Sequence, residues 1–486
     1  MSGRGSGSNV AQHEVVVLGG GPGGYATAFR AAARGLDVAL VEEDQVGGTC
    51  LHRGCIPSKA LLHVAGVLDE IHRAEVLGLK VHLDGLDGDG LAAFRDGVVT
   101  KLHKGLALLV EQRTTVYPGR GRVIRDDDGL AVEVTRLDGG TQQVRGGDVV
   151  LATGSVPRSL PGVHVDGEVV LTSNEALRVT EPPGEAVIIG GGAIGVEFAS
   201  MWDPMGSHVT LVEALDHLLP LEDTDASQAL ERAYRRRGID VLTGAQVHSV
   251  EVTDGRAQVS IEIDGTQRSL TADAVLVAIG RAPNTGGAGI EELGVLDDGG
   301  YVRTDAFGAT EIDGLWAVGD VRPTLALAHA AFAEGSVVAD RIAGVPDVLP
   351  VDHVHTPRVT YSHPEVASVG LTEAEARQRH GQDAIAVTTS SLRGNAKGII
   401  AGSDGFVKII HRCGSGPVGA PAGEGPVLGV HVVGPHATEL VAGGTFATVW
   451  EAVPVELAAV THAHPSLSEA LSEAYLSAAG TPLHGP

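Results

Sequence analysis

Residues 14–43 read EVVVLGGGPGGYATAFRAAARGLDVALVEE. An apolar strand runs into a glycine turn, then a helical stretch, then a second apolar strand that closes on an acid. Residues 185–214, EAVIIGGGAIGVEFASMWDPMGSHVTLVEA, repeat this pattern. The glycines fall at Gly19, Gly21 and Gly24, and again at Gly190, Gly192 and Gly195. Glu42 lies 18 residues past Gly24, and Glu213 lies 18 past Gly195. One such triplet is a common turn. Two, each between a strand and a helix with an acid at matching distance, predict two dinucleotide-binding units. The glycines let the backbone approach a pyrophosphate at a helix N-terminus, and the acid accepts hydrogen bonds from the adenosine ribose. No arginine follows Glu213 in ALDHLLPLED, which favours NAD over NADP at the second unit. Pro204 lacks an amide donor and should kink or end the helix that follows the second turn.

The rest of the chain is read around these units. Its 486 residues predict three or four domains with ample core. Hydrophobic residues make up 43% and charged residues 20%, as in a soluble globular protein. The 35 basic and 61 acidic residues give a net charge of −26, and no Lys/Arg stripe points to nucleic acid. Residues 1–12 carry no apolar core of a signal peptide and read as a disordered tail. No apolar run is long enough to predict a membrane span. Three cysteines in the chain suggest a reducing compartment, and the cytoplasm is the expected location. DVVLATGSVPR (148–158) and DAVLVAIGRAPNT (273–285) each read as the last strand of a nucleotide unit, and GLWAVGD (314–320) as a strand ending at Asp320.

Two of the three cysteines stand together in GGTCLHRGCIPSK (47–59), as Cys50 and Cys55. Zinc normally takes four ligands, and no second close pair exists. Cys413 stands alone in a Gly/Pro-rich stretch. Positions five apart in a regular helix are roughly 8–9 Å apart between Cα atoms, beyond bridging range. A bridge therefore needs a distorted segment, for which Gly54 and Pro57 supply the means. Closing so short a loop stabilises little, so such a bond would be redox-labile. A dithiol and its disulfide differ by two electrons, the quantity a flavin or a nicotinamide carries.

These segments resemble the FAD-dependent pyridine nucleotide–disulfide oxidoreductases over about residues 13–476. The ending IPSK is most similar to the dihydrolipoamide dehydrogenases of that family. LAHAAFAEG (327–335), YSHPEVASVGLTEAEA (361–376), LGVHVVGP (428–435) and HAHPSLSEA (462–470) share in the likeness. The resemblance implies an α/β fold with two Rossmann-like dinucleotide-binding domains, a central domain and a C-terminal α+β dimerisation domain. The expected boundaries are 13–158 (FAD), 159–282 (NAD), 283–352 (central, completing the FAD site) and 353–486 (interface). It implies FAD on Gly19, Gly21, Gly24, Glu42, Gly48, Thr49, Thr153, Gly154 and Asp320. It implies NAD on Gly190, Gly192, Gly195, Glu197, Glu213 and Gly280. Cys50 would be the thiol that exchanges with substrate and Cys55 the thiolate against the flavin. Lys59 would tune the flavin, in partnership with Glu197.

Among 21 histidines, His464 is set apart by Glu469 close after it, a carboxylate able to fix the imidazole tautomer. His353 and His355 offer a metal pair by spacing, though histidines at a strand entry are commoner. The resemblance makes His464 and Glu469 the acid–base dyad, with His462 a bystander. It places that dyad against the cysteines of the other subunit, so a homodimer is expected. Lipoyl-bearing proteins of 2-oxo acid dehydrogenase complexes are the expected partners, and no resident metal is expected. Mercuric reductases carry a further cysteine pair, and glutathione-type reductases a tyrosine where this chain has Ala193. A related disulfide reductase or an NADH:quinone reductase is the alternative. Two departures from the pattern are His52 and Arg53 between the cysteines, and a Gly/Pro/Ala-rich stretch at about 413–426. Arg53 either favours a neighbouring thiolate or points to solvent.

Overall fold

The run VVVL of the first fingerprint becomes the middle of a parallel sheet, buried on both faces. In the computed structural model, which describes residues 10–414 and 424–484, Val15, Val16 and Val17 are fully buried. Continuous apolar runs suit parallel strands, because layers cover both sides of such a sheet. The sheet runs Thr115–Pro118, Val38–Glu42, Val10–Leu18, Thr141–Leu151, with Leu315–Ala317 beside the last of these. Arg120–Asp126 and Gly129–Thr135 continue it as an antiparallel meander. Strand Val10–Leu18 begins inside the segment read as a tail. Val10, Ala11 and Gln12 pair with Gln143, Val144 and Arg145, so the neighbouring strand takes up their backbone groups, and the tail reading gives way at Val10.

The chain divides into two compact units. Met1–Ala60, Asp89–Arg158 and Arg281–His353 form the first, and Leu61–Gly88, Ser159–Gly280 and Val354–Pro486 the second. In the second, the repeat forms its own parallel sheet, in the order Asp240–Leu242, His208–Val212, Glu185–Ile189, Ala274–Val277, Val170–Leu171. The helix after its turn, Ala193–Trp202, stops before Pro204 as the missing amide requires. A three-stranded antiparallel sheet over Ala245–Ala272 covers one side.

The last part of the second unit is a five-stranded antiparallel sheet, in the order Arg358–Thr360, Glu365–Gly370, Val427–Gly434, Phe406–Arg412, Ile385–Ser391. Alternation along these strands sorts the faces. Ala367, Val369, Val407, Ile409, Val430 and Val432 share a core with helices Ala437–Val449 and Glu469–Ala478. Arg358, Ser368, His431 and Lys408 stand on the opposite face. The stretch at 413–426 lies mostly outside the described residues. Among the described residues, no helix is long and apolar enough to cross a membrane.

Candidate active site

In the first unit, Gly19 adopts φ +106°, and a Cβ there would overlap the Ala152 carbonyl oxygen. A Cβ on Gly24 would overlap the Gly19 carbonyl oxygen, while Gly21 faces open space. The turn thus packs tightly on the protein side and stays bare where a ligand would lie. Gly21 begins helix Pro22–Ala33 without a side-chain cap, leaving its first amides free for an anion. Glu42 accepts from Gly20 N at 2.6 Å and from Asp44 N at 2.8 Å. These two bonds aim the carboxylate and leave lone pairs for a ribose. Gly48, at φ +56°, brings the cysteine segment against Gly21, where a Cβ would come within 2.8 Å of its Cα. Thr153 Oγ1 is buried without a protein partner, and Gly154 holds φ +73°. The bare cradle and the orphaned hydroxyl fit a dinucleotide such as FAD.

The repeat in the second unit has the same construction. Gly190, at φ +110°, packs on the Ala278 carbonyl, Gly195 on the Gly190 carbonyl, and Gly192 faces open space. Glu213 accepts from Gly191 N at 2.6 Å and Leu215 N at 2.8 Å. Gly280 has φ +110°. Glu197, on the helix after the turn, is buried and accepts from Tyr361 N at 3.1 Å.

The cysteine segment is broken where a bridge would need it to be. Helix Gly48–Arg53, which contains Thr49 and Cys50, ends at Gly54 in a non-helical conformation, and a new helix, Cys55–His72, starts at once. Cys50 and Cys55 are thiols with no disulfide between them, hydrogen-bonded side chain to side chain. That bond, burial and the charge of Cys55 push the Cys50 thiol far above its ordinary range, against an opposing pull from Lys59. Lys59 follows Cys55 by about one helical turn.

Three neighbours carry no role in the sequence reading. Tyr25, in the first turn of the fingerprint helix, has its hydroxyl pushed up to about 12 by burial and by the charges of Cys50 and Cys55. Arg281 donates through Nε to Ser155 Oγ and through Nη2 to the Ser155 carbonyl, each at 2.7 Å. Ser155 Oγ donates to Asp320 at 2.5 Å. Asp320 is thereby fixed by a serine–arginine clamp and shares in the electrostatics of Cys50. The clamp was within reach of the motifs, since GSVPR and GRAPNT form a two-stranded pair, Ser155–Pro157 against Arg281–Pro283. Of the two departures between the cysteines, His52 donates to the Val46 carbonyl at 3.0 Å, and Arg53 pairs with Asp44 at 3.1 Å.

His464 and Glu469 belong to the second unit. His464 Nδ1 donates to Glu469 Oε1 at 2.8 Å. Ser466 N and that imidazole hold the Glu469 carboxyl below its usual range. His353, of the possible metal pair, sits 3.3 Å from Glu334. Among the described residues, no group of three or more His, Cys, Asp and Glu side chains is placed to hold a metal.

Comparison with known proteins agrees with this geometry. Residues 13–335 match the pyridine nucleotide-disulphide oxidoreductase family, and residues 356–475 match its dimerisation domain. The chain is similar to a dihydrolipoyl dehydrogenase of Bacillus subtilis, 38% identical, over 97% of this chain and 99% of that one. It is similar to that of Mycobacterium bovis, 39% identical, over 95% and 97%. The crystal structure of LpdA from Mycobacterium tuberculosis superposes with a TM-score of 0.86 at 30% identity, covering 96% of this chain and 99% of that one. The HOCl-induced flavoprotein disulfide reductase RclA of Escherichia coli, in a Cu(II) complex, gives 0.82 at 26% identity, covering 96% and 99%. This α/β chain, with its paired nucleotide cradles, close cysteine pair and dimerisation domain, belongs to the pyridine nucleotide-disulphide oxidoreductase family.

Proposed function

We propose that the protein oxidises dihydrolipoyl groups with NAD⁺, through Cys50, Cys55 and FAD. The observation that carries this reading is the cysteine pair: two unbridged thiols hydrogen-bonded to each other across the break at Gly54, with the charge of Lys59 acting on Cys50. The full-length similarity to dihydrolipoyl dehydrogenases supports the substrate class. FAD, in the first cradle, supplies the two-electron relay between the dithiol and NAD⁺ in the second.

The chain's own groups do the rest. In the oxidised enzyme the pair is a disulfide. A substrate thiolate attacks Cys50, the Cys50–Cys55 bond breaks, and Cys55 leaves as a thiolate. The second substrate thiol then attacks the mixed disulfide, releasing the lipoyl disulfide and leaving Cys50 as the thiol. His464 of the partner subunit takes the thiol proton. Within each chain, Glu469 holds the tautomer of its own His464. Lys59 stabilises negative charge near the pair, and the Arg281–Ser155–Asp320 clamp orients the FAD polyol. The four-domain division, 13–158, 159–282, 283–352 and 353–486, is part of this proposal, as are a cytoplasmic location and lipoyl-bearing partners.

The test is steady-state NADH formation from dihydrolipoamide and NAD⁺ by the purified holoenzyme. Turnover that depends on both substrates supports the reading. A holoenzyme that oxidises NADH with a quinone but ignores dihydrolipoamide overturns it.

A further inference from the structure

The five-stranded sheet of the second unit carries a buried polar row. Arg358 stands opposite Ser368, Ser368 opposite His431, and His431 opposite Lys408, on four adjacent strands. Directly opposed residues share a face, so these side chains point to the same side. Ser368 and His431 are fully buried, and Lys408 is nearly so. Lys408 is satisfied by Asp223, Asp225 and Glu373, at 2.8, 2.6 and 2.8 Å. The other end of the row is not. Arg358 Nε meets Glu222 Oε1 at 3.1 Å. Yet Arg358 Nη2, Glu222 Oε2, Ser368 Oγ and His431 Nδ1 are all buried without a protein partner.

A buried polar atom without a partner costs about 1–3 kcal/mol, so three on neighbouring strands of one sheet face, with the fourth on the glutamate paired to Arg358, point to a ligand. Its chemistry follows from theirs. His431 Nε2 donates to the Leu371 carbonyl at 3.0 Å, so Nδ1 of the neutral ring is an acceptor, and burial keeps the ring neutral. Glu222 Oε2 is a second acceptor. Arg358 Nη2 is a donor, and the Ser368 hydroxyl can act as one. The carboxylate disfavours an anion, and the guanidinium disfavours a cation. What remains is a small neutral molecule with two donors and two acceptors.

We propose that one internal water molecule occupies this site, donating to Glu222 and His431 and accepting from Arg358 and Ser368. Buried waters commonly make such sets of bonds. The water joins the sheet to the loop that braces the second glycine turn. Glu222 N donates to the Leu219 carbonyl, and Leu219 N donates to the Gly191 carbonyl, both at 2.9 Å. Losing the water should loosen that turn.

A high-resolution crystal structure of the holoenzyme, with anomalous data, tests the site directly. One ordered water in hydrogen-bonding distance of all four atoms is the expected result. Direct pairing of Glu222 Oε2 with Arg358 Nη2 and no water, or an ion in the site, overturns the proposal. Ser368→Val tests the coupling, because it fills the site and leaves the Arg358–Glu222 pair. KM for NAD⁺ should rise about fivefold, the worth of roughly one net hydrogen bond, with flavin reduction by dihydrolipoamide unchanged. An unchanged KM overturns the coupling, and Ser368→Thr, which also adds a methyl group to the site, serves if the valine variant does not fold. This second arm rests on the reading of the Gly191 turn as the NAD site; the crystallographic arm does not.

Discussion

His464 Nδ1 donates to Glu469 Oε1 across 2.8 Å, while the imidazole itself is 79% exposed. One ring nitrogen is thus oriented by a carboxylate and the other is left to face outward, as a base serving another molecule requires. His464→Gln should slow flavin reduction by dihydrolipoamide about 100-fold or more, the usual worth of a positioned base. Hydride transfer between a fully reduced flavin and NAD⁺, followed by itself, should stay within about twofold, because that step moves no thiol proton. Rapid-mixing measurement of both half-reactions decides it. Equal slowing of the two would remove His464 from this role.

Cys50→Ser and Cys55→Ser should each abolish turnover with dihydrolipoamide, because either change removes one half of the two-electron couple. The proposed cradle is built from Gly19, Gly21, Gly24 and Glu42, which either change leaves in place, so both variants should purify with bound FAD. Flavin absorbance and NADH formation are the readouts. Wild-type turnover in either variant contradicts the mechanism.

Arg281 reaches Ser155 through two hydrogen bonds, and Ser155 in turn holds Asp320. Arg281→Met should free Asp320 and weaken FAD binding roughly tenfold, in line with a lost hydrogen bond to a charged group. Titration of the apoprotein with FAD measures the change. Unaltered affinity would mean that the clamp does not orient the cofactor.

The two glycine turns and the cysteine pair were legible because each is local, with all its signals within about forty residues. The serine–arginine clamp was not, since Ser155 and Arg281 are 126 positions apart and meet only through strand pairing. Val10–Gln12 looked like tail because the alternating, half-polar VAQHE shows nothing of its partner strand. The polar row was hidden for a different reason. RVT, EVASVG, FVKIIHR and VLGVHVVG alternate as strands do when one face meets water. Only the fold shows that Ser368, His431 and Lys408 are covered on that face as well.

That row makes stability depend on pH with a definite sign. Burial depresses the His431 imidazole, so below about pH 6.5 the unfolded chain binds a proton that the folded chain refuses. Stability should fall as pH drops through that value. Against the opposing effect of burial, His431 and then Lys408 hold Asp223 below its usual range, and Lys408 with Arg377 holds Glu373 there. Their contribution is present above about pH 4 and lost as pH falls further. Lys408 is raised, so its contribution holds below about pH 10 and is lost above. The thermal midpoint should therefore be highest between roughly pH 7 and 10. Lys408→Met leaves Asp223 buried and unpaired, which should cost about 3 kcal/mol or more at neutral pH. The deficit should shrink below about pH 4 as Asp223 takes up a proton. Calorimetry across this range checks both; a deficit that does not change with pH would contradict the assignment.

The central claim is that the cysteine pair passes electrons from a dihydrolipoyl group toward NAD⁺. Anaerobic stopped-flow of the holoenzyme, mixed first with dihydrolipoamide and then with NAD⁺, tests it most directly through the flavin spectrum. The account predicts rapid growth of a long-wavelength thiolate-to-flavin absorption from Cys55, discharged by NAD⁺ as NADH appears. A flavin spectrum that dihydrolipoamide leaves unchanged, with no long-wavelength band, while NADH alters it readily, would contradict it.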